Sequence, residues 1–136
     1  MSDHTKRSGS FMMKTAELWA EASYAKRKKV GAVISKDGRI ISTGYNGTLP
    51  GEDNECEIDG ITKPTVMHAE ANAISFCAKN GLATNNCSLH VTMSPCVECA
   101  KLIIAAGITE VYYSERYRIT DGIELLQQLG VHVERI

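Results

Sequence analysis

The chain has 136 residues, 43% of them hydrophobic, which is enough for one domain with a buried core. Its 15 basic and 16 acidic residues give a formal net charge of −1, so overall charge does not favour a polyanion as partner. The longest uninterrupted apolar run, Leu102–Ala106, is too short to span a bilayer, and no signal peptide is apparent. With five cysteines, an odd number, these features predict a cytoplasmic protein in which clustered cysteines bind metal or act in catalysis.

The first half of the chain predicts a helix and a β-hairpin. Residues 1–9 are polar and predict a flexible tail, and residues 10–136 predict a single domain. Apolar residues recur at helical spacing from Ser10 onward. Two strands follow, "VGAVIS" and "RIISTGY", joined by the turn signal "KDG". Residues 46–64 are rich in Gly, Pro, Asp and Asn and predict a long loop, which in a compact domain is often functional.

The second half predicts helices and strands in alternation. The helices are "VMHAEANAISFCAKN", "CVECAKLIIAA" and "TDGIELLQQL", each closed by a glycine, and the strands are "SLHVTM", "EVYYSE" and "VHVERI". Helical crossovers allow these later strands to be parallel, whereas the first two must be antiparallel. The predicted fold is α/β, a three-layer α-β-α sandwich around a mixed five-stranded sheet.

Two cysteines at the start of a predicted helix indicate a metal site. Cys96 and Cys99 form a Cys-X-X-Cys pair, and a helix N-terminus favours the thiolate form. A catalytic zinc takes three protein ligands and leaves its fourth position to water. His68, at the start of the preceding helix, is the best candidate for the third ligand, because two helix N-termini can meet at one end of a sheet.

A carboxylate lies two residues after the histidine. Glu70 could take a proton from water and give it to a leaving amine without binding the metal. A lone Cys-X-X-Cys pair is often structural zinc or a redox site, but the thioredoxin-type redox motif does not come with a separate His-X-Glu, and a four-ligand structural zinc needs a second ligand pair. Cys56, Cys77 and Cys87 stand alone, so a second ligand pair for a four-ligand structural site is not evident.

The motifs resemble those of a known family of enzymes. His-X-Glu followed by Pro-Cys-X-X-Cys is the established signature of zinc deaminases. The segments "VGAVI", "ISTGYNGTLPG", "HAEANAI" and "PCVECAKLIIAAGITEV" resemble the cytidine deaminase superfamily, and more closely the deoxycytidylate (dCMP) deaminases. The resemblance implies a cytidine deaminase-like fold, zinc on His68, Cys96 and Cys99, and Glu70 as proton shuttle.

The resemblance also implies a reaction and a set of substrate contacts. The reaction is hydrolysis of dCMP to dUMP and ammonia, which supplies dUMP for thymidylate synthesis. Asn46 is expected to hold the sugar hydroxyl, and the Ala69 N–H and Ser94 carbonyl to read the cytosine edge. By resemblance, Tyr113 or Tyr117 is expected to line the base or reach the phosphate. Independently, Arg116, Tyr117 and Arg118 follow the fourth predicted strand, where ligands of such sheets bind, and are expected to contact the 5′-phosphate.

Regulation is a further implication of the resemblance. It implies a homohexamer activated by dCTP and inhibited by dTTP, with Mg²⁺ accompanying the triphosphate. The loop "GYNGTLPG" and nearby basic residues are the expected effector site, namely Arg27, Lys28, Tyr45, Asn46, Gly47, Pro50 and Gly51. Family members often place a cysteine directly after the Pro-X-Gly of this loop, whereas here it is delayed to Cys56, and this departure argues against a second, structural zinc.

Two other functions are compatible with the same motifs. The first is a deaminase of another cytosine or adenine substrate, a free nucleoside or a tRNA, although RNA binding would favour a basic face and the only dense basic run is "KRKK" at residues 26–29. The second is a zinc-stabilised interaction module, which would have no use for Glu70. No other nucleic-acid or membrane partner is predicted.

Overall fold

The computed structural model describes residues 3–136 and, from Lys6 onward, their side chains. Within these residues the helices are α1 (Asp3–Ala20), α2 (Ala69–Lys79), α3 (Val97–Ala105) and α4 (Asp121–Gln128). The strands are β1 (Gly31–Lys36), β2 (Arg39–Tyr45), β3 (Glu57–Ile58), β4 (Ile61–Thr62), β5 (Ser88–Met93), β6 (Glu110–Glu115) and β7 (His132–Arg135). None of the described helices is both long and apolar enough to cross a membrane.

The main sheet has five strands in the order β2-β1-β5-β6-β7. Strand β1 is antiparallel to both β2 and β5, and β5, β6 and β7 are parallel. Asp37 and Gly38 connect β1 to β2 with positive φ angles of 50° and 76°, as a two-residue hairpin turn requires. The predicted mixed five-stranded sheet, with its first two strands antiparallel, is therefore confirmed.

Helices cover both faces of this sheet. The larger core lies between the sheet and α2, α3 and α4, and it contains Ile34, Leu89 and Val111. The alternate positions of the same strands, such as Val33 and Tyr112, point to the other face and pack against α1. The three-layer sandwich predicted from the sequence is confirmed.

The structure differs from the prediction at the N-terminus. Helix α1 begins at Asp3, so residues 3–9 of the predicted flexible tail are helical, while Met1 and Ser2 lie outside the described residues. This part of α1 lies over the sheet, since a Cβ placed on Gly9 would be 3.6 Å from Nε2 of His90 and 3.9 Å from Cδ1 of Ile136. Packing against β5 and the C-terminus, rather than local propensity, accounts for the longer helix.

The predicted long loop also contains structure of its own. Strands β3 and β4 form a small antiparallel hairpin, with Glu57 opposite Thr62. Asp59 and Gly60 make its turn with φ angles of 53° and 76°, the same turn chemistry as in the β1–β2 hairpin. The prediction of an irregular loop over residues 46–64 is therefore wrong at residues 57–62.

A histidine is buried beneath α1, where its protonated form is disfavoured. His90 is 4% exposed, stacks on Tyr112 with ring centroids 4.8 Å apart, and its Nδ1 has no hydrogen-bond partner among the described residues. Burial lowers the pKa of His90 to about 4, against a weaker opposing effect of the Glu110 carboxylate. The neutral imidazole is thus the folded-state form at neutral pH.

This burial predicts a specific loss of stability in acid. The lowered pKa contributes stability that is fully present above the unfolded-state pKa of 6.5 and is lost as pH falls towards 4. We expect the free energy of unfolding to fall by about 2 kcal/mol more in wild type than in His90→Phe between pH 7 and pH 5. Parallel urea titrations of the two proteins measure it, and identical pH dependences would contradict it.

Candidate active site

The start of α2 and the start of α3 meet at one end of the sheet. His68 precedes α2 and Cys96 precedes α3, both as helix-capping residues with extended backbone, and Cys99 lies in the first turn of α3. The Nδ1 atom of His68 is 3.5 Å from Sγ of Cys96 and 3.4 Å from Sγ of Cys99. All three ligand atoms lie within 4.8 Å of one another. The structure therefore brings together the three predicted metal ligands.

The spacing of these atoms fits zinc. Zinc–sulfur bonds of about 2.3 Å and zinc–nitrogen bonds of about 2.0 Å place neighbouring tetrahedral ligands about 3.5 Å apart. The two sulfur–nitrogen distances, 3.5 and 3.4 Å, match that edge length. A set of one imidazole and two thiols is also a set that zinc prefers. These three residues could hold one zinc ion with a fourth position open.

The electrostatics of the cluster favour one thiolate. Hydrogen bonds from Cys99 and His68 lower the pKa of Cys96 to about 3. The same interaction with Cys96, together with burial, raises the pKa of Cys99. The hydrogen bond with Cys96 also raises the pKa of His68. An anionic sulfur is thus present in the cluster at neutral pH, as metal binding needs.

Glu70 lies beside the cluster without belonging to it. It is in the first turn of α2, is 4% exposed, and is not one of the three grouped ligands. Burial raises the pKa of Glu70 to about 7, an effect that the backbone N–H and the nearby His68 partly oppose. A carboxyl group with such a pKa can both accept and release a proton near neutral pH, as a general acid–base requires.

A cavity of about 330 Å³ opens in front of Glu70, His68 and Cys96. Four predicted substrate residues line it, namely Asn46, Ala69, Ser94 and Tyr117. Ser94 and Tyr117 are joined there, because the Tyr117 N–H donates to Oγ of Ser94 at 2.7 Å. The structure therefore brings these four predicted residues together in the wall of one cavity.

Three other predicted substrate residues do not line this cavity. Tyr113 is 8% exposed and lies in the main core, because it shares the inward-facing phase of β6 with Val111. Arg116 and Arg118 are exposed, on either side of Tyr117. We therefore correct the assignment of Tyr113, whose side chain serves packing, and find only Tyr117 of this segment in the cavity wall.

The side chain of Asn46 is held by the neighbouring chain. Its Oδ1 accepts a hydrogen bond from the Val30 N–H at 2.9 Å, and its Nδ2 donates to the Lys28 carbonyl at 2.8 Å. An amide oxygen has a second lone pair, so Oδ1 can still accept a bond from a hydroxyl. Asn46 thus fixes part of the wall in addition to its predicted contact.

The predicted effector residues fall in two places. Arg27, Lys28 and Asn46 line the same cavity as Glu70. The other four are Tyr45, the last residue of β2, and Gly47, Pro50 and Gly51 in the loop that follows it. Gly47 pairs with Met67 through two backbone hydrogen bonds of 3.1 and 2.8 Å, which ties this loop to the residue before His68.

Sequence reasoning missed Glu57 in the cavity wall. This carboxylate is 9% exposed and accepts hydrogen bonds from the N–H groups of Lys26 and Arg27. The Asp59–Gly60 pair was the available signal, because it predicts a hairpin turn that would place the adjoining residues. Cys56 lines the cavity too, with its Sγ 3.8 Å from the Asn54 carbonyl oxygen, and it belongs to no group of three potential ligands among the described residues.

The start of α4 supports the metal cluster through close backbone packing. A Cβ placed on Gly122 would collide with the carbonyl groups of Pro95 and Cys96. We expect Gly122→Ala to displace Cys96 and lower zinc affinity about tenfold, in the range seen when groups that support metal ligands are altered. Competition with a chelator measures it. Gly9→Ala is the control, since its Cβ would lie 3.6 Å from His90, and equal zinc affinities in the two variants would contradict the prediction.

Comparison with known proteins agrees with this geometry. Residues 6–115 match the family described as "Cytidine and deoxycytidylate deaminase zinc-binding region". The chain is 47% identical to a dCMP deaminase from cyanophage S-TIM5, solved in complex with dCMP and dUMP, with a TM-score of 0.93 over 100% of this chain and 99% of that one.

Two further proteins, one more and one less similar in sequence, extend this comparison. The chain is 35% identical to the deoxycytidylate deaminase of Enterobacteria phage T2, over 79% of this chain and 80% of that protein. A structure from a study of tRNA:A34 deaminases is 24% identical with a TM-score of 0.67, over 93% of this chain and 98% of that one, and shows the fold alone. With a His-Cys-Cys cluster, a buried glutamate and a family match over most of its length, the chain belongs to the zinc-binding cytidine and deoxycytidylate deaminase family.

Proposed function

We propose that this protein hydrolyses dCMP to dUMP and ammonia. The observation that carries the proposal is a single cavity lined by His68 and Cys96 of the metal-ligand cluster, by the buried Glu70 and by the basic Arg27 and Lys28. Support also comes from the 47% identical cyanophage enzyme, which was solved with dCMP and dUMP. The cavity thus offers groups suited to each end of a cytosine monophosphate.

The chemistry at the base depends on Glu70. Zinc, when held by His68, Cys96 and Cys99, supplies Lewis acidity that lowers the pKa of water. Glu70 takes a proton from water as water adds to the C4 carbon of cytosine. It then gives a proton to the departing amino group, so ammonia leaves and uracil remains. We expect the Ala69 N–H and the Ser94 carbonyl to orient the pyrimidine edge, because both residues line the cavity.

The phosphate end is assigned to the basic part of the same cavity wall. Lys28 is paired with Glu115, with 2.6 Å between Nζ and Oε2, whereas the Arg27 guanidinium makes no ion pair among the described residues. A guanidinium presents several N–H donors in a fork that matches phosphate oxygens. We assign the 5′-phosphate to Arg27 and Tyr117, and no longer to Arg116 and Arg118, which lie outside the cavity.

A substrate panel tests this proposal. Ammonia release is measured with dCMP, CMP, deoxycytidine, dCTP and a tRNA anticodon stem-loop that contains adenosine. We expect dCMP to have the highest kcat/KM, at least about tenfold above deoxycytidine, because a charge-assisted contact with phosphate contributes that much or more. Equal kcat/KM for deoxycytidine and dCMP would contradict the proposed role of the phosphate in recognition. Turnover of the stem-loop alone would show that the substrate is RNA and not dCMP.

We also propose the regulation implied by the resemblance, with a homohexamer, activation by dCTP, inhibition by dTTP and Mg²⁺ bound with the triphosphate. Two observations support it. The Gly47–Met67 bridge links the loop to His68, which would give an effector a short route to the cluster. Phe11 and Leu18 on α1 are 56% and 65% exposed, and exposed apolar side chains of this size are common at subunit contacts.

Initial rates at low dCMP, with each triphosphate added in turn, test the regulation. We expect dCTP to raise the rate and dTTP to lower it, because each must favour a different state of the assembly. Light scattering gives the oligomeric state in the same buffers. Rates that respond to neither nucleotide would identify a non-allosteric member of the family.

A further inference from the structure

An irregular basic segment forms one wall of the cavity. Residues 26–29 read Lys-Arg-Lys-Lys and lie between α1 and β1, outside any helix or strand. Arg27 and Lys28 line the cavity although their side chains are largely exposed. Such a segment has no regular hydrogen bonds to hold its course, so other groups must set where the Arg27 side chain begins.

Glu57 accepts two hydrogen bonds from the backbone of this basic segment. Its Oε2 accepts from the backbone N–H of Lys26 at 2.9 Å and from that of Arg27 at 3.2 Å. A side-chain oxygen acceptor that is 9% exposed meets little competition from water for these two N–H groups. Glu57 therefore holds the backbone at Arg27, one of the residues that line the cavity.

The hairpin makes Glu57 a fixed anchor. Glu57 pairs with Thr62 across β3 and β4, and the Lys63 N–H donates to the Cys56 carbonyl at 2.8 Å just beyond that pair. On the other side of Arg27, the Asn46 side chain bonds to the Lys28 carbonyl. The Arg27 backbone is thus held from both directions by groups far away in the sequence.

We propose that Glu57 is a positioning residue for the phosphate end of the substrate. It acts through the backbone of Lys26 and Arg27 and directs the Arg27 guanidinium towards the 5′-phosphate. The inference rests on the proposed function, because it takes dCMP as the substrate. A negative group in this wall is compatible with phosphate binding since its charge is directed at two N–H dipoles.

Steady-state kinetics of two variants test the role. Glu57→Ala removes the acceptor, and we expect KM for dCMP to rise about tenfold with kcat within threefold of wild type, as for the loss of a charge-assisted contact. The value of kcat/KM for deoxycytidine, which has no phosphate, is expected to stay within threefold. Glu57→Gln keeps an acceptor oxygen and is expected to restore KM to within about threefold.

Glu55→Ala is the matched control, because Glu55 is an exposed carboxylate two residues away that does not line the cavity. An unchanged KM for dCMP in Glu57→Ala, or an equal loss for deoxycytidine, would overturn the proposal, and the latter would indicate contact with the sugar instead. A Glu57→Gln variant as impaired as Glu57→Ala would also overturn it.

A third variant and the wild-type activity separate the possible outcomes of this experiment. If Glu57→Ala loses zinc or fails to fold, Glu57→Asp takes its place. Aspartate keeps the charge but is one methylene shorter, so the same rise in KM for dCMP is expected, and a wild-type KM would refute the positioning role. Absence of dCMP turnover in wild type would refute the proposed function instead, which separates the two failures.

Discussion

Replacing Glu70 by glutamine is expected to lower kcat for dCMP about 10³-fold while zinc binding persists. The reason is that the glutamine amide cannot take or release a proton near neutral pH, yet it occupies nearly the same volume in a site that is 4% exposed. The zinc ligands His68, Cys96 and Cys99 are untouched by this change. Stopped assays of ammonia release, with elemental analysis of the same preparations, give both quantities.

Glu98→Gln is the control for this change. Glu98 is also a carboxylate in the first turn of a helix that carries a zinc ligand, but it is exposed and paired with Lys101 at 3.2 Å. We expect its activity to match wild type, because an exposed pair of this kind has little effect on a site that it does not enter. A Glu70→Gln enzyme with normal turnover would mean that another group moves the proton, and would favour a non-catalytic zinc module.

Removal of both sulfur ligands is expected to abolish zinc binding. In a Cys96→Ala, Cys99→Ala double variant only His68 remains of the three-atom cluster, so zinc content should fall from about one per chain to below about 0.1. Because a ligand that binds only the folded state stabilises it, a chelator should lower the Tm of wild type and leave that of the variant unchanged. Elemental analysis and thermal unfolding with and without chelator measure these effects.

Cys87→Ala provides the matched comparison for the cysteine variants. Cys87 is fully buried like Cys99, but it lies in the main core, away from the cluster. It should lose stability by a cavity effect of about 1 kcal/mol or more and still bind one zinc ion per chain. Undiminished zinc in the double variant would place the metal elsewhere and refute the assigned ligand set.

Strong local signals account for the elements that the sequence predicted well. The β1–β2 hairpin follows from Asp37 and Gly38, which tolerate the positive φ angles of a two-residue turn. The β3–β4 hairpin has an equivalent Asp59–Gly60 pair, but its strands have only two residues each, too few for any alternation to appear. Helix α1 starts earlier than predicted because its first turns gain contacts with the sheet, which no local pattern reports.

The chemistry of the site was determined by the sequence alone. His68 and Glu70 lie within one turn of each other, as do Cys96 and Cys99, so short spacing at two helix starts is enough to specify a cluster and a nearby carboxyl. Only the tertiary structure decided what surrounds them. Glu57 and Arg27 are 30 residues apart in the sequence and are joined by a hydrogen bond. Arg27 lies in an irregular segment, which has no hydrophobic periodicity from which its position could be predicted, and the buried carboxylate of Glu57 fixes the backbone there. Strand register and loop contacts, rather than residue type, also decide which residues line the cavity. Arg27 therefore lies in the cavity wall, whereas Tyr113 lies in the core.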